Sequence, residues 1–347
     1  MAETTLTPAA VRPPLSTKAI VLRTSAVLVL ALAAVWLIAN IVASPVQFFS
    51  AAVAGLSNGA LYALIALGYT MVYGIIQLIN FAHGDLFMLG TLFSAFVITT
   101  LANQTGPSAT GWVVFFVALV TTMAFCGLAN VAIEFFAYRR LRRAPKLAPL
   151  ITAVGMSFVL QQIGLKWNGS GQRNWPSVLP DDSFFIGGVR IDVNLLIVLG
   201  LAIPLLLLMR WLVAKTKQGK AMRATSQDQD ATRLMGISVN STISFTFLLG
   251  GALAGAAGVM YQQTIGTTRY DLGFQLGLIA FTAAVLGGIG NLTGAVLGGV
   301  LIGLIQGIND GAPYGLGQKW SQTVVFSILI LLMVFRPDGL LGKRTGE

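Results

Sequence analysis

Three polar side chains lie close together inside an otherwise apolar run: Asn80, His83 and Asp85, in the stretch GIIQLINFAHGD from Gly74 to Asp85. His83 is the one histidine of the 347-residue chain. An imidazole near a carboxylate is the minimum equipment for moving a proton, and an amide adds a donor and an acceptor for a polar solute. The same residue types also close helix ends. Three readings therefore stand: Asn80 and Asp85 cap adjacent helices while His83 bonds a backbone carbonyl; the three shape the cytoplasmic gate of a solute path; or His83 and Asp85 relay protons. Asn58, Tyr62 and Tyr69 lie along the preceding apolar run and either present polar atoms to the same path or bond between helices.

Bond-making chemistry has little to work with. The chain has no Ser/His/Asp signature and no HExxH, and one histidine excludes a multi-histidine zinc site. Around Gly219 the sequence GKA is like the end of a phosphate-binding loop, but Ala214 stands where the leading glycine belongs and Ala221 where Ser or Thr belongs. GGIGNLTG has three residues between Gly290 and Gly294 and so is not GxGxxG. Neither a metal, a cofactor nor an ATP site is expected in this chain. Cys126, the single cysteine, excludes an internal disulfide and reads as a packing residue.

The elements that position these residues are membrane helices. The chain is 55% hydrophobic and 10% charged, with mean hydropathy +0.79, against about one quarter charged in soluble proteins. Crossing the hydrocarbon layer takes roughly 20 apolar residues. Windows of that kind fall at 25–44, 50–73, 84–102, 112–137, 148–166, 193–213, 238–263, 274–289, 291–309 and 320–335. The expected fold is an all-α polytopic membrane protein with about nine or ten transmembrane helices, some short or broken. The first run follows a basic leader like a secretory signal does, but it is longer than an apolar signal core of about 7–15 residues and reads as a retained helix.

The net charge of +10 follows topology. With a cytoplasmic amino terminus, 17 of the 22 Lys and Arg fall inside, leaving Lys166, Arg173, Arg190, Arg269 and Lys319 outside. Glu134, one turn before the cluster RRLRRAPK (Arg139–Lys146), reads as an ion-pair partner of that cluster. Residues 1–24 form a cytoplasmic tail, with residues 1–17 expected to be disordered, and 167–192 the largest external loop. KTKQGKAMRATSQDQDATRLMG, from Lys215 to Gly236, is the largest cytoplasmic loop. Ala221, Met222, Ala224, Ala231, Leu234 and Met235 give it an apolar side, and Ser226, Asp228 and Asp230 start a short helix that stops at Gly236.

The late helices are rich in glycine. Gly251 and Gly255 are four apart, as are Gly290, Gly294 and Gly298, and Gly299, Gly303 and Gly307. Small residues at this spacing form a strip on which another helix backbone can rest.

At this point the residues are similar to a known family. GALYALIALGYTMVYGIIQLINFAHGDLFMLG (Gly59–Gly90), QGKAMRATSQDQDATRLMGI, AFTAAVLGGIGNLTGAVLGG and the terminal RPDGLLG together resemble the membrane permease subunit of bacterial branched-chain amino acid ABC importers, of the NFAHG type. The resemblance covers about 47–343 and implies the permease architecture over a core at 46–343. It leaves 25–45 as an extra amino-terminal helix beyond that core. It also implies partners: a second, related permease, two cytoplasmic ABC ATPases that bind the ATP, and an external solute-binding protein. In such importers a short cytoplasmic helix of the permease sits in a groove of each ATPase. The matching segment here is 215–237, with Arg223, Asp228, Asp230 and Arg233 as polar contacts and Leu234, Met235 and Gly236 at its end. The resemblance implies inward passage of neutral branched-chain amino acids across the inner membrane. Urea or short amides are the alternative cargo within the family, and an ion-driven secondary transporter built on Asp85 is the rival outside it.

Overall fold

The computed structural model describes residues 17–342, apart from 105, 109, 143, 146, 181 and 337. The tail up to residue 16 and the basic residues Arg12, Arg143, Lys146, Lys343 and Arg344 lie outside the described residues. The chain runs α1 (Thr17–Ala43), α2 (Pro45–Ile76), α3 (Ala82–Phe96), α4 (Gly111–Ile133) and α5 (Leu147–Asn168). A two-residue strand β1 (Arg173–Asn174) and a hairpin of β2 (Ser183–Ile186) and β3 (Val189–Asp192) follow. Then come α6 (Val193–Lys215), α7 (Lys217–Gln227), α8 (Gln229–Leu234), α9 (Val239–Ile265), β4 (Thr267–Thr268), α10 (Leu272–Gly287), α11 (Leu292–Gly311) and α12 (Ser321–Phe335). This is an all-α polytopic membrane protein. Among the described residues, eight helices are long and apolar enough to cross a membrane, and α10 and the apolar part of α1 are shorter. All ten expected windows fall on helices.

The helices form two classes by burial. Helices α2 and α9 are buried along most of their length, whereas α6 and α12 expose most of theirs. In lipid there is no gain from hiding Leu against Leu, so close approach of backbones must hold the centre together. Glycine supplies it. A methyl group on Gly59 of α2 would stand 2.9 Å from the Val300 Cα of α11, and one on Gly55 would stand 2.7 Å from the Gly303 carbonyl oxygen. Gly299, Gly303 and Gly307 of α11 face Ala63, Gly59 and Gly55 in turn. On the other side of α11, Gly294 and Gly298 rest on Gly287 and Ala283 of α10. Gly251 and Gly255 of α9 rest on the Cys126 and Thr122 turns of α4.

Gly290 departs from the expected strip. It lies in the α10–α11 turn, has φ +91°, and has no atom within 4 Å of where a Cβ would stand. Its role is backbone conformation, since only glycine adopts that φ without strain. The i, i+4 spacing includes it only because the turn precedes α11 so closely.

Two π turns also interrupt the regular pattern, Val97–Leu101 after α3 and Glu134–Tyr138 after α4. At one end of the bundle β1 pairs with β4 and the β2–β3 hairpin precedes α6. At the opposite end lie the arginines after α4, the α7–α8 segment and the carboxyl-terminal RPDGLLG residues. There Leu340 and Leu341 donate their backbone N–H groups to the carbonyls of Leu286 and Gly287.

Candidate functional site

Helix α2 stops at Ile76 because Gln77 turns left-handed, with φ 53°, and residues 77–80 are non-helical. Unpaired backbone at membrane depth survives only when enclosed by protein; here Gln77 is exposed and residues 78 and 79 are half-buried, and the polar side chains beyond them are enclosed. Asn80, His83 and Asp85 are each at most 1% exposed. Asn80 Oδ1 accepts from the Tyr138 hydroxyl at 3.0 Å, and its Nδ2 donates to Asn130 Oδ1 at 3.3 Å. Asn130 Nδ2 in turn donates to the Phe247 carbonyl at 2.7 Å, so the break is tied to α4 and α9. Asp85 accepts from the Ser157 hydroxyl of α5, which Gln161 Nε2 supports at 3.2 Å, while its Oδ1 has no partner.

His83 packs edge-on against Tyr69, with ring centroids 4.7 Å apart, beside Gly68. Neither ring nitrogen makes a hydrogen bond of normal geometry; the Ile65 carbonyl is the acceptor facing it. The side chain of Asn80 spans helices instead of capping α3. His83 and Asp85 contact different helices, which leaves the two without a direct bond between them. Tyr62 donates its hydroxyl to Gln306 Oε1 of α11 at 2.8 Å. Asn58 alone among the six path candidates borders a large open cavity. That cavity is a cleft of about 490 Å³ at the hairpin end, and Arg190, Asp192 and Asn194 also line it. Arg190 and Asp192 lie in the stretch read as an external loop, and Asn194 lies in the first turn of α6. Their only sequence signal is opposite charges two residues apart immediately before a helix.

A second buried cluster stands where α4 ends. Glu134, fully buried, accepts from Arg139 at 3.0 Å, from Arg142, and from the Ser244 hydroxyl of α9 at 2.6 Å. Arg142 also reaches Asn240 Oδ1 at 2.7 Å. Burial pulls the Arg142 guanidinium below its ordinary value. The ion pair read from sequence spacing is thus part of a five-residue clamp that fixes the start of α9 to α4.

The clamp lies beside the α7–α8 segment. Thr216 caps α7, its hydroxyl accepting from Gly219 N at 3.0 Å. Asp228 breaks the segment in two and caps α8, Oδ1 accepting from the N–H groups of Asp230 and Ala231 at 2.8 and 3.0 Å. The segment read as helical therefore appears as two helices, α7 and α8, divided at Asp228. Arg223 donates to the Val213 carbonyl, and Arg233 pairs with Asp230 at 2.7 Å. The expected single apolar side is divided. Met222 of α7 is buried at 3% exposure, while Leu234 and Met235 beyond the break are 90% and 80% exposed. Gly236, at φ +79°, then turns the chain toward α9.

The profile of the family described as "Branched-chain amino acid transport system / permease component" matches residues 51–334. The chain belongs to this permease family. The permease is 38% identical over 300 residues to the high-affinity branched-chain amino acid transport system permease protein BraD of Pseudomonas aeruginosa, covering 84% of this chain and 95% of that one. It is 35% identical, with the same coverage, to the corresponding protein LivH of Escherichia coli K12. A more distant match, 28% identical over 54% of the permease and 50% of the relative, is the autoinducer 2 import system permease protein LsrC of Shigella flexneri. No solved structure matches the permease. The match to the family profile begins after α1, so α1 and the first turns of α2 lie outside it. The permease is a multi-pass inner-membrane protein.

Proposed function

We propose that this permease carries branched-chain amino acids inward as one subunit of an ATP-driven importer and has no ATP site of its own. The observation that carries this reading is the match over nearly the whole length of BraD and LivH, whose names specify branched-chain amino acid transport. Those names favour amino acids over the urea and amide alternative. The partners are a related second permease, two cytoplasmic ATPases and an external solute-binding protein, and both termini face the cytoplasm. The α7–α8 segment is the part the ATPases move. Its exposed Leu234 and Met235 are the apolar tip of a segment whose other side is fastened to α6 and α9.

The polar break between α2 and α3 works in this reading as a fixed joint of the moving bundle, with Asn80 and Asp85 holding it to α4 and α5. Solute passes along polar atoms that include Asn58. An ion-driven mechanism based on Asp85 is disfavoured because this carboxylate is enclosed and engaged by Ser157. Proteoliposomes holding the complete importer test the cargo. Labelled leucine, isoleucine and valine are expected to accumulate, with urea and acetamide excluded; accumulation of urea in place of leucine would overturn the reading.

A further inference from the structure

The cleft of about 490 Å³ at the hairpin end is built from four elements: the first half of α2, the end of β3, the first turn of α6 and the last turn of α9. Its volume lies in the range of small-molecule sites, about 300–1,000 Å³. Its charges come as a pair. Arg190 Nε donates to Asp192 Oδ1 at 2.7 Å, and both side chains are about half exposed. An exposed pair holds little energy in itself, so each partner is free to exchange the other for a ligand. Helix ends of opposite polarity add to the pair: α6 begins here at Val193 and α9 ends here at Ile265. A helix start favours negative charge and a helix end favours positive charge. Val53 and Leu195 contribute apolar wall.

We propose that this cleft receives the zwitterionic amino acid. The carboxylate lies at the start of α6 with Arg190, the ammonium lies on Asp192 toward the last carbonyls of α9, and the branched side chain lies against Val53 and Leu195. This assignment rests on the amino acid cargo proposed above. A simple anion would engage Arg190 and leave Asp192 opposed, and a neutral amide would use neither charge. The paired charges therefore select for a solute carrying both signs.

The test uses the assembled importer in lipid vesicles with Ile265→Cys in the permease, at a half-exposed residue of the cleft wall. The native thiol Cys126 is fully buried and will not compete for a maleimide. Millimolar leucine is expected to slow maleimide labelling severalfold. Isopentylamine, which is leucine without its carboxylate, and 4-methylpentanoate, which is leucine without its ammonium, are expected to leave labelling fast. Adding Arg190→Gln or Asp192→Asn is expected to abolish protection by leucine. Ala54→Cys, at an exposed residue on the facing wall, serves if Ile265→Cys fails to assemble. Labelling indifferent to leucine in an importer that takes up leucine would overturn the cleft assignment alone, as would equal protection by both analogues. An importer that takes up no leucine would sink the cargo reading, and the cleft assignment with it.

Discussion

The break at residues 77–85 and the α7–α8 segment are opposites. The first is a polar stretch in an apolar sequence, and its polar atoms turn inward, each of Asn80, His83 and Asp85 enclosed by neighbouring helices. The second is a polar stretch with a few apolar residues, and two of those, Leu234 and Met235, turn outward. Each region places its minority chemistry where its surroundings make that chemistry strongest. A hydrogen bond away from water resists breaking because nothing replaces a lost partner, and apolar surface facing water is attracted to any groove that covers it. On the function proposed above, the buried break serves as a joint and the exposed tip as a contact.

Breaking the contact should have the largest effect. Leu234→Asp with Met235→Asp is expected to cost about 4 kcal/mol in ATPase binding, the scale of a strong interface anchor. Membrane insertion and thermal unfolding of the permease should be unchanged, and solute-stimulated ATP hydrolysis should vanish. Retained stimulation in that variant would erase the distinction between the two regions.

Next comes the clamp between them. Glu134→Gln leaves Arg139 and Arg142 without their carboxylate, a loss of roughly 3–5 kcal/mol for a fully buried pair and about 2–3 here because Arg139 is part-exposed. A lowered unfolding midpoint in detergent would show it, and an unchanged midpoint would mean the clamp is not structural. Within the joint, Asn80→Leu strands the Tyr138 hydroxyl and the Asn130 amide at about 2 kcal/mol in all. That loss should appear as thermal destabilisation without altered ATPase binding. The smallest effect belongs to Asp228. Its carboxylate closes α8, so Asp228→Ala should cost about 1 kcal/mol of local helix stability and Asp228→Asn almost nothing. Hydrogen exchange of the Asp230 and Ala231 amides would separate the two substitutions.

The eight membrane-length helices were legible because each satisfies a length and composition requirement that no other element among the described residues meets. The glycine spacing foretold close packing at Gly251, Gly255, Gly294, Gly298 and Gly303, and it misplaced Gly290 because a turn residue beside a helix keeps the same count. What remained hidden depends on contacts distant in sequence. Nothing near Asn80 announces Asn130 or Tyr138, which are brought to it by α4, and nothing near Arg190 shows that Asn58 and Ile265 form the facing walls of one cleft. The α7–α8 division was half visible: Asp228 has the residue type of a cap, but the burial of Met222 and the exposure of Leu234 are set by how α7 lies against α6.

The account makes the permease a conduit that an external ATPase moves through α7 and α8. Uptake of labelled leucine by proteoliposomes carrying both permeases and the solute-binding protein, with and without the ATPases, measures this directly. Accumulation is predicted only when the ATPases and ATP are both present. Accumulation that persists without the ATPases, driven by a proton or sodium gradient, would contradict it.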